Sequence, residues 1–352
     1  MTSRIRLLQT TYPHWGKHTG IHQFVRHLDP KRFQPSIFHH VDGHSSLQWP
    51  TGGLRQLLKS RSEPLQRKWY SLSDFAAELR AIPGCAFNTV QIVHYLDSEH
   101  AANYLPVWLA KYPFSRTKTV ATFHQPTHML DKLIEPQTIK KLDHVNLVSP
   151  SQVDYFRKYV GEDRISVILH GVDTDFFRPG SRTQDSDVLR VVTVGHWLRD
   201  WNAIARVTRK LCTERDIEFH VVTNKPNQLE ASGNVIFHRN ISDDGLRSLY
   251  QQSDILFLPL TDSTANNSLL EGIACGLPVI STRMHSVSAY LKGGEAMLFD
   301  DNRSADLADA IMHLKENPDI RKIMGKQARL RAEELCWQKI APRYEELYSM
   351  LL

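Results

Sequence analysis

The chain alternates short β-rich runs with helical stretches, and it does so twice over. In the first half, residues 5–8, 36–40, 90–94, 118–123, 144–148 and 165–169 read as strands. Helices are expected at 21–28, at 73–81 with Ser73 as N-cap, and at 151–160 capped by Ser151. The pattern restarts with an apolar strand at 189–194 and further strands at 218–223, 235–237, 255–258 and 279–281. Helices fit 204–213, 244–251, 268–275 and 305–316. Parallel strands need a crossover of a dozen residues or more, so strands spaced by helices point to βαβ units. The expectation is an α/β chain of two doubly wound, Rossmann-like domains facing a central cleft. The polar, Pro/Gly-containing stretch 177–187 divides them, so a first domain of 1–178 is followed by a second that starts at 188. Ligands bind such sheets at the carboxyl ends of the strands, so the cleft is the expected site.

A length of 352 residues fits two domains, and 41% hydrophobic with 23% charged residues is a soluble, globular balance. No run of about 18 apolar residues offers a membrane span. The first fifteen residues lack the apolar core of a secretory signal. Cys85, Cys212, Cys275 and Cys336 form no Cys-x-x-Cys and read as reduced thiols of a cytoplasmic protein. Residues 1–180 carry 22 basic and 15 acidic side chains, whereas the rest carries 21 and 23. The first half is therefore expected to meet something anionic: nucleic acid, lipid or a phosphorylated substrate.

The most informative stretch runs from Pro259 to Ile280. A strand ends, a polar loop (Thr261, Asp262, Ser263, Thr264, Ala265, Asn266) follows, and a helix starts at Asn267 or Ser268. The N–H groups at such a helix start, Ser268 and Leu269 among them, form an anion site. Glu271, one turn in, suits a ribose diol because a carboxylate accepts from two vicinal hydroxyls. Taken alone, the same residues also describe a capped helix with a solvated glutamate. Arg199, past the strand 189–194, reads either as a bidentate diphosphate clamp or as a surface partner of Asp200. Gly16 and Gly20 lie in the first strand-to-helix loop, where a backbone without Cβ approaches a ligand closely.

Other features point elsewhere or nowhere. His124 and His128 have ligand spacing, but Pro126 between them disfavours a shared helix. Adjacent His39 and His40 diverge on a strand. No metal is expected. The stretch 54–70 holds Arg55, Lys59, Arg61, Arg67 and Lys68 against Glu63, with Leu54, Leu57, Leu58, Leu65, Trp69 and Tyr70 as an apolar side. It reads as a solvated loop-helix, interrupted by Pro64, or as peripheral contact with an anionic membrane. No nucleic-acid signature is present.

The segment SLLEGIACGLPVI (268–280) resembles the donor-site motif of retaining, GT-B, family 4 nucleotide-sugar glycosyltransferases. HGVDTDFFRP (170–179), VTVGHWLRDW (192–201), residues 240–260 and residues 336–352 resemble further family segments in the same order. The resemblance covers 140–352 well and 1–140 loosely, through the first Gly loop and ATFHQP. It implies a metal-independent transferase that moves a sugar from a UDP- or GDP-sugar to a carbohydrate or lipid-linked acceptor in glycan synthesis, with no cofactor. It also implies a last helix crossing back to the first domain. Arg199 and Glu271 then serve the diphosphate and ribose, with His196 and the 262–269 segment as further donor contacts. His124 lies near the anomeric carbon, and Asp97 on the acceptor side. One departure stands out. The family has two glutamates seven residues apart, and the first falls on Ser263, beside Asp262. Either Asp262 takes its place or the sugar is held differently, and a non-catalytic nucleotide-sugar-binding or scaffold protein is the alternative. A GT-B hydrolase, epimerase or phosphorylase is a third reading.

Overall fold

The computed structural model describes residues 2–11, 16–41, 52–62, 69–181, 187–225, 229 and 233–352. Glu63, Pro64, Leu65, Arg67 and Lys68 of the basic stretch, and residues 182–186 of the linker, lie outside them. By contact density the chain forms two units. The first takes residues up to 15, 20–170 and 340–352, and the second takes 16–19 and 171–339.

The first unit is built from β1 (Ser3–Thr11), β2 (Phe33–Val41), α1 (Gly52–Ser62), α2 (Leu72–Ala86), β3 (Ile92–Tyr95), α3 (Ser98–Ala101), α4 (Tyr104–Leu109), β4 (Lys118–Phe123), α5 (Thr127–Leu133), α6 (Pro136–Ile139), β5 (His144–Leu147), α7 (Val153–Phe156) and β6 (Ile165–Val167). Its six strands are all parallel, in the order β2-β1-β3-β4-β5-β6. Leu8, Val93, Phe123 and Leu147 of the sheet pack with Ala77, Ala81 and Cys85 of α2 in one core. Burying such side chains stabilises by about 1.5–3 kcal/mol each.

Three local expectations are corrected. Residues Ile21–His27 form a 3-10 helix instead of an α-helix, with Ile21 and Phe24 both buried and no side-chain cap. Their three-residue separation matches the 3-10 repeat. Ser71, not Ser73, caps α2, because Ser71 and Asp74 make a capping box: the Ser71 N–H donates to Asp74 Oδ2 at 2.6 Å. Ser149, not Ser151, caps the next turn, since its N–H reaches Gln152 Oε1 at 3.1 Å and Pro150 opens the turn.

The second unit comprises β7 (Leu189–Val194), α8 (Trp201–Lys210), β8 (Ile217–Val222), β9 (Val235–His238), α9 (Asp243–Gln252), β10 (Ile255–Leu258), α10 (Asn267–Ala274), β11 (Val279–Thr282), α11 (His285–Tyr290), β12 (Ala296–Phe299), α12 (Ser304–Glu316) and α13 (Pro318–Glu334). The parallel order is β12-β11-β10-β7-β8-β9. Chain direction across the sheet reverses between β7 and β10, the switch point where such sheets open a crevice. Val191, Phe219 and Phe257 pack with Ile204 of α8 and Ile311 of α12.

α14 (Trp337–Leu351) starts in the second unit, and from Ile340 onward it belongs to the first. There Tyr344 stacks on Phe24 with centroids 4.1 Å apart, and the Tyr348 hydroxyl lies 2.7 Å from His94 Nδ1. Among the described residues no helix is long and apolar enough to cross a membrane.

Candidate active site

The switch point of the second sheet gathers most of the residues singled out above. β7 ends at Val194, and Gly195 turns the chain with φ +88°, a left-handed conformation that favours glycine. The turn brings Arg199 back across the strand end. Its Nε and Nη2 donate to the Val194 carbonyl at 3.0 and 2.7 Å, and Nη1 donates to the Trp197 carbonyl at 3.0 Å. Nη2 also reaches Asn266 Oδ1 and Ser268 Oγ, both at 3.2 Å. The expected bidentate diphosphate fork is therefore not what the side chain presents, because most of its five donors are used. What it supplies is a positive charge fixed beside the start of α10. Burial lowers its pKa to about 10, so it stays protonated at neutral pH.

β10 feeds the polar loop and then α10. Asn266 is the N-cap, its Oδ1 accepting from the Leu269 N–H at 3.2 Å. The N–H groups of Asn267 and Ser268 precede the first intrahelical bond and give this helix end its positive character. Ser263 is buried, and its N–H donates to Asp262 Oδ1 at 2.7 Å, so that oxygen of Asp262 closes its own loop. His196 has a buried Nδ1 without a hydrogen-bond partner, and its ring lies 5.5 Å from the Trp201 ring. Burial, with Lys225 and Arg199 nearby, lowers its pKa and keeps it neutral.

Glu271 is 5% exposed. Burial raises its carboxyl pKa to about 7, against the pull of two hydroxyl partners. The Tyr250 hydroxyl donates to Oε2 at 3.1 Å and the Thr19 hydroxyl to Oε1 at 2.8 Å. Thr19 arrives with the 16–19 segment, which packs on this unit through four further contacts. The Lys17 N–H donates to Asp243 Oδ2 at 2.7 Å, and Gly16 lies so close to that carboxylate that a Cβ would overlap it. His18 Nδ1 lies 2.8 Å from Asp173 Oδ2, and its ring stacks on Phe176 at 3.6 Å. Sequence reasoning missed Thr19, His18, Asp173, Asp243 and Tyr250. Thr19 and Glu271 are 252 positions apart, so no local pattern could pair them.

The sequence does contain Asp-x-Asp spacings, at Asp173–Asp175 and Asp185–Asp187, of which Asp185 lies outside the described residues. Asp173 is taken by His18 and by the Phe176 N–H, and Asp175 accepts from Gln338 at 3.0 Å. Among the described residues no group of three His, Cys, Asp or Glu side chains has the geometry of a metal site.

The first unit has its own polar cluster at the carboxyl ends of β1, β3 and β4. His124 follows β4, and its Nε2 lies 2.8 Å from the Leu96 carbonyl, which makes Nε2 the protonated nitrogen. Burial lowers its pKa to about 4, so it is neutral. Buried Glu99 accepts from the N–H groups of His124 and Gln125. Asp97 is 5% exposed, accepts from the Thr10 N–H at 3.3 Å, and has its pKa raised by burial and by Glu99. Gly20, with φ +109°, precedes the 3-10 helix of this unit. Thus Asp97, His124 and Gly20 group in the first unit. Gly16, His196, Arg199, Asp262, Ser263, Asn266, Asn267, Ser268, Leu269 and Glu271 group in the second.

Comparison with known proteins adds a family context. A family profile described as glycosyl transferases group 1 matches residues 191–317, and one described as glycosyltransferase family 4 matches 16–176. A D-inositol 3-phosphate glycosyltransferase of Paenarthrobacter aurescens is 26% identical over 234 residues, 58% of this chain and 57% of that protein. The chain thus aligns with little more than half of that relative's length. A glycosyltransferase from Rickettsia africae superposes with a TM-score of 0.71 at 16% identity, covering 99% of this chain and 98% of that one. HepE of Anabaena, solved with UDP and glucose, superposes with a TM-score of 0.68 at 14% identity, covering 98% and 99%.

Proposed function

Since the chain belongs to the group 1, family 4 glycosyltransferases and has their GT-B fold, we propose that it transfers a sugar from a UDP- or GDP-sugar to an acceptor hydroxyl, with retention and without a metal. One observation carries this reading: a buried carboxylate, a fixed arginine and a capped helix start converge at the switch point of the second sheet. The helix start and Arg199 meet the charge that grows on the leaving diphosphate. Both are already in place, so no reorganisation is needed when the bond breaks. Glu271 accepts from the ribose, and His196 and the 262–269 segment line the donor side. In the first unit His124, a neutral imidazole, serves the sugar by hydrogen bonding, and Asp97 serves the acceptor. We assign the donor domain to 188–335, the acceptor domain to 1–178, and 336–352 to the helix that returns to it. A binding-only protein is the weaker reading, because Ser263 removes one family carboxylate but leaves the diphosphate machinery intact.

The direct test is calorimetry of Glu271→Ala with UDP, GDP and their sugars. Affinity should fall by about tenfold or more, since a hydrogen bond to a charged group contributes about 1.5–3 kcal/mol. Unchanged affinity for every nucleotide that binds the parent would sink the assignment. Turnover should persist in EDTA, and its loss there with recovery in Mn²⁺ would overturn metal independence.

We place the protein in the cytoplasm, at the inner face of an anionic membrane, acting in polysaccharide, glycolipid or glycoconjugate synthesis. The first half's positive charge supports this, together with α1, which carries Arg55, Lys59 and Arg61 and exposes Leu57 by 53%. Sedimentation with anionic vesicles should occur at low salt and fade as the screening length drops to about 8 Å at 0.15 M. Equal sedimentation with neutral vesicles, or none with either, would favour a soluble acceptor.

A further inference from the structure

Glu271 sits at the end of a chain of polar groups that treats its two oxygens differently. Arg199 Nη2 donates to Ser268 Oγ at 3.2 Å. Ser268 in turn lies beside the Tyr250 hydroxyl, and Tyr250 donates to Glu271 Oε2 at 3.1 Å. Tyr250 is wholly buried, packed edge-on against Phe177, and sits in α9, so its hydroxyl meets Oε2 away from water. Oε1 is held by a different kind of partner. Thr19 Oγ1 reaches it at 2.8 Å from a segment with no regular secondary structure, whose other ties are Lys17 to Asp243 and His18 to Asp173.

A hydroxyl donating to a carboxylate oxygen is chemically what a ribose hydroxyl offers. The two partners of Glu271 are both neutral hydroxyls, and little of the carboxylate is left uncovered. We propose that Tyr250 is a positioning residue that holds Oε2, and that the Thr19 hydroxyl and a ligand hydroxyl compete for Oε1. The donor site then recognises the ribonucleotide through one oxygen, and Thr19 sets how strongly. This rests on the assignment of Glu271 to the ribose.

The test measures affinities of UDP or GDP, whichever binds more tightly, and of its 2′-deoxy and 3′-deoxy analogues by calorimetry at pH 8.5. That pH lies above the carboxyl pKa of about 7, so Glu271 is ionised in the parent. Thr19→Val should tighten the ribonucleotide about three- to tenfold and leave at least one deoxy analogue unmoved. Tyr250→Phe should weaken the ribonucleotide and shrink its preference over both analogues. In a pH titration of affinity, Thr19→Val should also shift the midpoint upward, because its hydroxyl favours the ionised form. Weaker or unchanged ribonucleotide binding in Thr19→Val would overturn the competition. An unchanged ribo-to-deoxy ratio in Tyr250→Phe would overturn its positioning role. Glu271→Gln separates the two levels. If it leaves the ribo-to-deoxy ratio unaltered, the ribose assignment itself fails. If it abolishes the ratio while Thr19→Val does nothing, only the present inference fails.

Discussion

Glu78 in the first unit and Glu271 in the second are the same side chain under similar burial, and burial pushes each up to about 7. Their partners differ. Glu78 accepts from the N–H groups of Asn103, Tyr104 and Leu105 at 3.2, 2.8 and 2.9 Å, and from the hydroxyls of Tyr70 and Tyr95 at 2.7 and 2.9 Å. It closes the start of α4 and joins three elements of one core. Glu271 accepts only from the hydroxyls of Thr19 and Tyr250 among the described residues. A perturbed carboxyl is therefore not by itself a sign of function. Three backbone N–H partners tie Glu78 to the fold, whereas Glu271 has hydroxyl partners alone among the described residues, and that of Thr19 can be exchanged.

The largest effect that could break this contrast is on stability. Glu78→Ala strands three N–H groups and two phenols, and should destabilise by about 3–5 kcal/mol, by analogy with breaking a buried charged pair. Glu271→Ala should cost far less, since Thr19 can turn to water. Denaturant unfolding of the two variants at pH 8 checks this, and equal losses would erase the distinction.

The next effect is on pH dependence. A ligand hydroxyl donates to the ionised form of Glu271, so nucleotide affinity should rise with pH through about 7 and level off above it. Each unit below the midpoint weakens binding by up to about tenfold, the equivalent of about 1.4 kcal/mol. Stability runs the other way. Folded-state pKa values raised to about 7 at Glu78, Glu99 and Glu271 mean that the folded chain binds more protons than the unfolded one between roughly pH 4.5 and 7. Stability from these groups is thus present at low pH and lost as pH rises through 7. Opposite slopes of affinity and stability across that window would sharpen the comparison, and parallel slopes would refute it.

The smallest effect concerns the helix start. Asn266→Ala should cost about 1 kcal/mol of stability as a lost N-cap, and it should weaken diphosphate binding as well, because Asn266 also accepts from Arg199. Ser71→Ala, the equivalent change on α2, should cost a similar stability and leave binding untouched. Calorimetry with UDP and GDP on both variants distinguishes them.

The frame and half of the site were legible in the sequence. Strands such as Ile255–Leu258 are continuous apolar runs, and the helix at Asn267 is announced by polar residues before an apolar stretch. Caps were misplaced where two serines compete. At 71–74 and 149–152 the decisive signal is the acid or amide three residues on, which selects Ser71 and Ser149. The orientation of Arg199 was not readable, because it depends on a left-handed turn at Gly195 and on carbonyls that a sequence does not display. The partners of Glu271 were not readable either. Thr19, Asp173 and Asp243 carry no periodicity, and their roles arise only when distant segments are packed together.

The last helix has a consequence for how the chain is made. The face of the first sheet near His94, Thr122 and Asn146 is completed by Tyr344 and Tyr348. The second unit needs Arg329, whose Nη1 donates to the carbonyls of Thr174, Phe177 and Ala274, and the pairing of Val172 with Cys336. Ribosomes deliver residues in order, so the first sheet leaves the exit tunnel long before the tyrosines that cover it. Neither unit can complete this packing on the nascent chain until residues 329–348 have emerged. Until then the polar face around His94, Thr122 and Asn146 is open to solvent and to chaperones.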